Sequence, residues 1–338
     1  MTRDKKEESV MEGGFYQLPH RISRKPLGLL LLLTFFLVVL PIIIRDKVYI
    51  LHLLSMIYLN VVIILGLVLI LGYTKQFSLG QVAFYGIGAY TTAVLTTNYH
   101  LSFFLALVLS GLLAGISAVF VAIPATRFQG PWLALVTFAF GEIIRILMIR
   151  LKSITGGFGG FFNIPKPRWG SFVFDDNFKF YYIFLAVMLS ILAITYCLRL
   201  SPLGRIWICM GDNEDLSSSL GINNFFHKLL AFALGSFFAG IAGSLYAGYA
   251  NFISPESFTL RHTIYYLSIL IVGGLESISG AVAATVIFTV FSSYLMALYP
   301  WDMVIFGLII VLFVNLIPGG LGDGFDKIRN RYQSVLGK

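Results

Sequence analysis

The sequence predicts an all-α integral membrane protein of about ten transmembrane helices, some short or broken, and three observations predict it. Of 338 residues, 58% are hydrophobic and 12% charged, against about 25% charged in soluble domains. The apolar residues fall in runs close to the roughly 20 needed to cross a hydrocarbon core of about 30 Å. Lysines and arginines gather at the two ends and between the runs, as membrane anchoring requires. The net charge of +8 is not laid out in aromatic-laced basic stripes, so a lipid bilayer and no nucleic acid is expected as the partner of these charges.

In chain order, spans are expected near 27–44, 49–71, 80–97, 101–123, 131–149, 181–198, 228–249, 262–275, 280–298 and 302–317. The first follows Arg21, Arg24 and Lys25 and runs into Ile44-Arg45-Asp46-Lys47 without a small-residue cleavage site, so it reads as a retained span. The eighth is short. With the N-terminus inside, fifteen lysines and arginines lie on that side and eight on the other, five of the eight between 150 and 180. Both termini are therefore expected in the cytoplasm. The chain divides into a cytoplasmic tail 1–26, a membrane domain 27–317 with an outer loop 150–180 and a cytoplasmic loop 199–227, and a cytoplasmic tail 318–338.

Two apolar runs are interrupted at matching places, Gly72-Tyr-Thr-Lys-Gln-Phe-Ser-Leu-Gly80 and Gly273-Gly-Leu-Glu-Ser-Ile-Ser-Gly280. Paired interruptions point to a transport pathway built from repeats, and unwound backbone there leaves polar groups to face a cavity. Ser78, Gly80, Gln81, Tyr85 and Gly86, with Ser277 and Gly280, are the candidate lining residues. Close helix packing by glycine accounts for the same pattern, and the sequence leaves a parallel or an inverted repeat equally open.

The polar interval Ser201–Ile222, between the sixth and seventh spans, reads as a short capped helix. Asp212 is placed to accept free N–H groups of its first turn, Glu214 and Asp215 suit its positive end, and Gly221 suits a left-handed stop. With so few apolar residues, it is expected to dock on the membrane domain or on a partner.

Glu142 and Arg145 share a helix face and neutralise one another where an unpaired charge costs roughly 2.5 to 3.5 kcal/mol. A structural pair near the helix end and a contact for a zwitterionic substrate both fit. His52, Glu276 and Asp302 fall near span ends and read as anchors. Trp132, Trp169, Trp207 and Trp301 fall near expected membrane boundaries. Cys197 and Cys209 make neither a disulfide framework nor a metal cluster. The only Gly-Lys pair is Gly337-Lys338, so the chain has no phosphate-binding loop. No catalytic, cofactor or metal-binding residue is expected, and the energy for transport must come from another subunit or a gradient.

Ser201, Pro202, Gly204 and Arg205, then Asp212, Asn213, Glu214, Leu220, Gly221 and Ile222, resemble the motifs of the permease subunits of branched-chain amino acid ABC importers. Gly72–Gln81, Gly86–Tyr90, Ile253–Phe258, Gly273–Leu275 and Pro318–Leu321 extend the resemblance from the second span to near the C-terminus. It implies that loop 199–227 carries a coupling helix for an ATPase, with Gly204, Arg205, Asp212, Asn213, Glu214 and Gly221 as coupling residues. It also implies a homologous second permease, or a second copy of this chain, two ATP-binding subunits holding ATP and Mg, an extracytoplasmic binding protein, and a bacterial inner membrane. Branched-chain or other hydrophobic amino acids are the implied solutes, with urea and short amides as alternatives. Gly211 stands where the family often has Arg, and Leu216-Ser217 where it has paired alanines. A self-contained secondary carrier would need ionisable residues deep in several spans, and this chain offers one pair. A membrane-embedded enzyme or scaffold would need a catalytic constellation or large polar domains, and neither is visible.

Overall fold

A computed structural model describes residues 34, 36–45, 47–125, 130–169 and 172–295, followed by 301, 304, 305, 307, 308, 311, 313, 315 and 320–322. The expected tails 1–26 and 318–338, save 320–322, lie outside the described residues, as do Asp302 and much of the first and tenth expected spans. Residues 36–43 are helical and belong to a compact unit that ends at residue 46. The rest of the description concerns the second unit, from Lys47 onward.

Helix α1, Val48–Leu67, continues without a break into a π-helical turn, Val68–Tyr73. After an irregular stretch come α2, Gln81–Thr97, and α3, Phe103–Ala125, which holds Pro124 in its last turn. Helix α4, Pro131–Arg150, starts with proline at its first position, where no backbone donor is lost. The short α5, Lys152–Thr155, is followed by the two-residue strands β1 (Phe161–Phe162), β2 (Arg168–Trp169) and β3 (Phe172–Val173). Then come α6, Asn177–Leu200, α7, Pro202–Asp212, α8, Glu214–Ser219, and α9, Asn224–Ala250. Strand β4, Phe252–Ile253, precedes α10, Leu260–Gly273, and α11, Ile278–Leu295. Among the described residues the regular structure is therefore helical apart from two small antiparallel pairs, β1 with β4 and β2 with β3.

Among the described residues six helices are long and apolar enough to cross a membrane: α1 with its π turn, α3, α4, α6, α9 and α11. The expected second, fourth, fifth, sixth, seventh and ninth spans coincide with these. Helices α2 and α10, of 17 and 14 residues, occupy the third and eighth and are short.

The centre of the unit is made by α1 and α9, and α2 and α3 pack on α9 at very short range. Apolar burial gives no preference for protein over lipid tails inside a bilayer, so helices associate there through close packing of small residues. A Cβ on Gly88 would collide with the Gly240 backbone, and one on Gly243 with the Tyr85 carbonyl. These contacts seat α2 against α9 backbone to backbone. The outward faces of α3 and α4 carry Leu105, Val108, Leu112, Phe120, Leu135, Ile143 and Ile146, exposed as a lipid-facing or partner-facing surface needs.

Contacts along the helices fix their relative directions. His52 meets Tyr249 and the Gly66 backbone meets Gly235, so α1 and α9 are antiparallel. Gln81 meets Gly235 and Ala89 meets Gly243, so α2 runs with α9. Gly72 lies on Leu275 and Asn60 donates to Thr289, so α11 also runs with α9. Helices α2 and α11 thus leave their two interruptions in the same direction, and the two interruptions sit at the same end of the bundle. That answers, for these helices, the parity the sequence left open.

Candidate functional site

The polar interval after α6 folds as two helices that meet at an elbow, where the sequence suggested one. Ser201 caps α7 by accepting from the Gly204 N–H at 3.4 Å, with Pro202 at the first helical position. Gly204 is held by proximity: a Cβ there would collide with the Leu198 carbonyl. Arg205 is exposed, while Trp207 and Met210 are fully buried. Trp207 is therefore an interior side chain of α7 and no member of an interfacial belt, unlike the exposed Trp132 and Trp301. The Trp169 side chain lies outside the described residues.

The cap of α8 is Asn213, whose side-chain oxygen accepts from the Leu216 N–H at 2.9 Å, and Asp212 instead ends α7. The shift of one residue follows from the extended backbone of Asn213, which turns the chain between the helices. Glu214 and Asp215 occupy the first turn, at the positive end of the short helix. The stop at Gly221 has φ +80, with the Gly221 N–H bonded to the Ser218 carbonyl and the Ile222 N–H to that of Ser217. This is a Schellman ending, which needs the left-handed residue supplied by glycine.

Helix α8 is too short to be stable alone and is tied down by α9. Asn224 donates to the Glu214 carbonyl at 2.8 Å and to the Ser218 hydroxyl at 2.9 Å, and its side-chain oxygen accepts from the buried Ser217 hydroxyl at 2.7 Å. Glu214 also reaches back to α9 through an ion pair with Lys228, 2.5 Å long, whose lysine side chain is 8% exposed. Leu216 and Leu220 are left pointing outward, with Phe225 and Phe226 exposed beside them.

The same end of the bundle holds both interrupted segments. After the π turn, residues 74–80 lose helical structure, yet Thr74, Gln76 and Ser78 are buried. Several backbone N–H groups of this stretch find partners within the protein, as irregular backbone at membrane depth requires. The Gln76 N–H donates to the Ile70 carbonyl at 3.1 Å, the Leu79 N–H to the Thr137 hydroxyl at 2.9 Å, and the Gly80 N–H to the Ser78 hydroxyl at 3.2 Å. In the second interruption the Gly280 N–H likewise donates to the Ser277 hydroxyl, at 3.1 Å. The two segments touch where Gly72 lies against the Leu275 carbonyl, and an ion pair between Lys75 and Glu276 spans them.

Of the candidate lining residues, Ser78, Gly80, Gln81, Tyr85, Gly86 and Gly280 are buried against protein and Ser277 is half-buried. Gln81 donates to the Gly235 carbonyl at 3.1 Å, Gly86 abuts Met148 and Phe258, and Gly280 abuts Gly273 and Gly322. Their neighbours Leu79, Val82 and Ala83 line a shallow cleft with Phe138, Gly141 and Glu142 of α4 and Phe258, Thr259, Leu260 and Thr263. Arg145 donates to Glu142 at 2.9 Å and lies 3.7 Å from Glu256, so two carboxylates flank one guanidinium beside that cleft.

Four contributors to this end were not singled out in the sequence. Lys228 and Lys75 entered the count of cytoplasmic charges, Glu276 was read as a span-end anchor, and Gln76 stood within the first interruption without a role of its own. Lys75 meets Glu276 across 201 positions and Gln76 meets the Lys228 carbonyl across 152, which no local pattern records. Gly211 was noted only as a departure from the family pattern; a Cβ there would collide with the Tyr73 carbonyl.

At the opposite end, β1 and β4 bring residues 161–162 against 252–253, with the Phe162 and Phe252 rings 4.5 Å apart. Phe104 packs on Phe174. Lys179 pairs with Asp175 at 2.7 Å, and that hydrogen bond holds the Asp175 carboxyl below its ordinary pKa. The described residues contain no group of three or more His, Cys, Asp or Glu side chains placed to hold a metal ion.

Residues 49–314 match the family model described as branched-chain amino acid transport system / permease component. The chain is 34% identical over 292 residues to the high-affinity branched-chain amino acid transport system permease protein LivM of Escherichia coli K12, covering 79% of this chain and 68% of that protein. It is 22% identical over 234 residues to the probable branched-chain amino acid transport permease protein LivM of Methanocaldococcus jannaschii, covering 64% and 67%. A shorter match, 31% over 145 residues, joins it to LivH of Salmonella typhimurium, covering 41% and 46%. No solved structure matches it.

Proposed function

The chain belongs to the branched-chain amino acid transport permease family, and from that premise we propose that it is a membrane-spanning subunit of an ABC importer for branched-chain or related hydrophobic amino acids. The carrying observation is the α7–α8 elbow, a capped polar unit docked on the bundle end with Leu216 and Leu220 exposed. An exposed apolar patch rimmed by Glu214 and Asp215 suits a groove on another protein. In this reading α8 is the coupling helix, loop 199–227 faces the cytoplasm and meets an ATP-binding subunit, and loop 150–180 faces outward toward a substrate-binding protein. The full subunit then has ten spans, with tails 1–26 and 318–338 in the cytoplasm of a bacterial inner membrane. ATP and Mg bind two partner subunits, and this chain makes or breaks no bond. The relatives LivM and LivH, two permeases of one named transport system, favour a homologous second permease as its partner.

The pathway runs between the two permeases, with this subunit supplying the α2–α4–α10 cleft. Glu142 and Glu256, in excess of the single Arg145 between them, give a locus of negative charge for the ammonium of an amino acid whose side chain lies on Val82, Ala83 and Phe138. The interruptions at 74–80 and 274–277 are where the helices bend as the site opens to alternate sides.

Purification of the tagged chain from its native membrane tests the proposal. A homologous permease and two ATP-binding subunits should co-elute, hydrolyse ATP and, in vesicles with a binding protein, take up leucine in preference to urea. A lone chain without ATPase activity in several mild detergents would overturn it. With Cys197 and Cys209 replaced by serine, a cysteine at Ser218 should label only from the cytoplasmic side and one at Lys166 only from outside.

A further inference from the structure

The contacts at the α7–α8 elbow form a continuous path to both interrupted segments, by two separate routes. By the first, the Gly211 backbone lies directly on the Tyr73 carbonyl, with the Lys75 side chain against the same glycine. By the second, Glu214 holds Lys228 at 2.5 Å, and the Lys228 carbonyl accepts from the Gln76 side chain at 3.4 Å. From the first interruption the path crosses to the second through Gly72 on Leu275 and the Lys75–Glu276 pair.

Two of these joints have little slack. Backbone packed on backbone at Gly211 leaves no side chain to rearrange between α7 and the end of the π turn. The Lys228 ammonium is nearly enclosed, so a displacement that took Glu214 away would strand a buried charge. Moving α8 therefore moves Lys228 and the start of α9 with it. The π turn Val68–Tyr73 lies where this path enters the first interruption: its backbone bonding differs from that of α1 before it, and such turns are frequent at functional sites.

We infer that Gly211, Glu214, Lys228, Gln76, Lys75 and Glu276 are positioning residues of a single transmission element, which converts displacement of α8 into a joint rearrangement of segments 72–80 and 273–280. The direction this gives to the cycle rests on the importer reading above; the mechanical link itself does not.

Hydrogen exchange on the purified full-length chain tests the link apart from transport. Glu214→Lys and Lys228→Glu should each speed exchange of the 74–80 amides about tenfold and leave 251–259 unchanged, because opening is local. The double exchange of charges should bring 74–80 back to within about threefold of the original protein, since paired sites are not additive. Gly211→Ala, a smaller change that tests the first route, should also speed exchange at 74–80. Unchanged exchange at 74–80 in all three single variants, or a double variant no slower than the faster single one, would overturn the inference. In the assembled importer the single charge variants should hydrolyse ATP with uptake per ATP cut about tenfold, and the double variant should regain it. If the unaltered assembly neither hydrolyses ATP nor transports, the functional reading falls while the exchange result still decides the link.

Discussion

At one end of the bundle, irregular backbone is buried and joined to its neighbours by enclosed polar groups: Glu214 with the nearly buried Lys228, and Gln76 with the Lys228 carbonyl. At the other, a two-residue strand pair and the tilted Phe162 and Phe252 rings join residues 161–162 to 252–253, and the exposed Lys179–Asp175 pair ties the loop before α6 to that helix. The first kind of joint is directional and fails if one member leaves, because a buried charge or amide is then unsatisfied. The second is graded, since ring contact and exposed charge pairing decline smoothly with displacement. An end built from directional joints transmits movement, and an end built from graded ones accommodates it. Between them lies the shared glycine-sealed packing of α2 on α9.

Variants can break this comparison in order of expected effect. Gly88→Leu, in the shared core, should disturb both ends at once: the new side chain meets the Gly240 backbone, which cannot rotate away, at a cost of about 3 kcal/mol. The expected outcome is loss of the monodisperse peak in size-exclusion chromatography of the detergent-extracted protein, and a normal peak would show that the helices are less closely seated. Phe252→Ala, at the graded end, should lower stability by about 1 kcal/mol through loss of ring stacking and leave uptake per ATP unchanged. A large drop in coupling from that variant would erase the distinction between the ends. Asp175→Asn should leave the melting temperature unchanged at neutral pH, as expected of an exposed pair. Because the Asp175 pKa is lowered by Lys179, whatever the pair contributes is present above the ordinary carboxylate range and is lost as pH falls through the lowered value. A melting difference between Asp175 and Asn that grew as the pH fell would contradict that sign.

How much of this was legible beforehand depended on whether the cause was local. Hydropathy located α1, α3, α4, α6, α9 and α11, because each is a continuous apolar run, and the glycines at 72–80 and 273–280 marked both interruptions. The capped unit before α9 was legible from Asp212, Glu214, Asp215 and Gly221 in outline. The cap moved from Asp212 to Asn213 and one helix became two because the chain is extended at Asn213, which turns it between α7 and α8. Burial of Lys228 and Gln76 was hidden for a different reason: Lys228 stands at the start of one expected span and Gln76 inside an interruption after another, and their contact joins positions 152 apart. Hydropathy likewise marks both α1 and α4 as spans and does not say that α1 is enveloped by protein while α4 presents Trp132, Leu135, Ile143 and Ile146 outward.

The seating of α1 and α2 on α9 also has a consequence for biogenesis. Gln81 and its acceptor on Gly235 are 154 positions apart. At about 5 to 20 residues per second of synthesis, roughly 10 to 30 s pass between emergence of the first and of the second. During that interval Gln76, Ser78 and Gln81, all enclosed in the finished protein, have no α9 to meet. Whatever inserts the nascent chain must shelter this amide-bearing hairpin from lipid until its distant partner is made, so the order of synthesis, as well as the final packing, places a demand on the membrane insertion machinery.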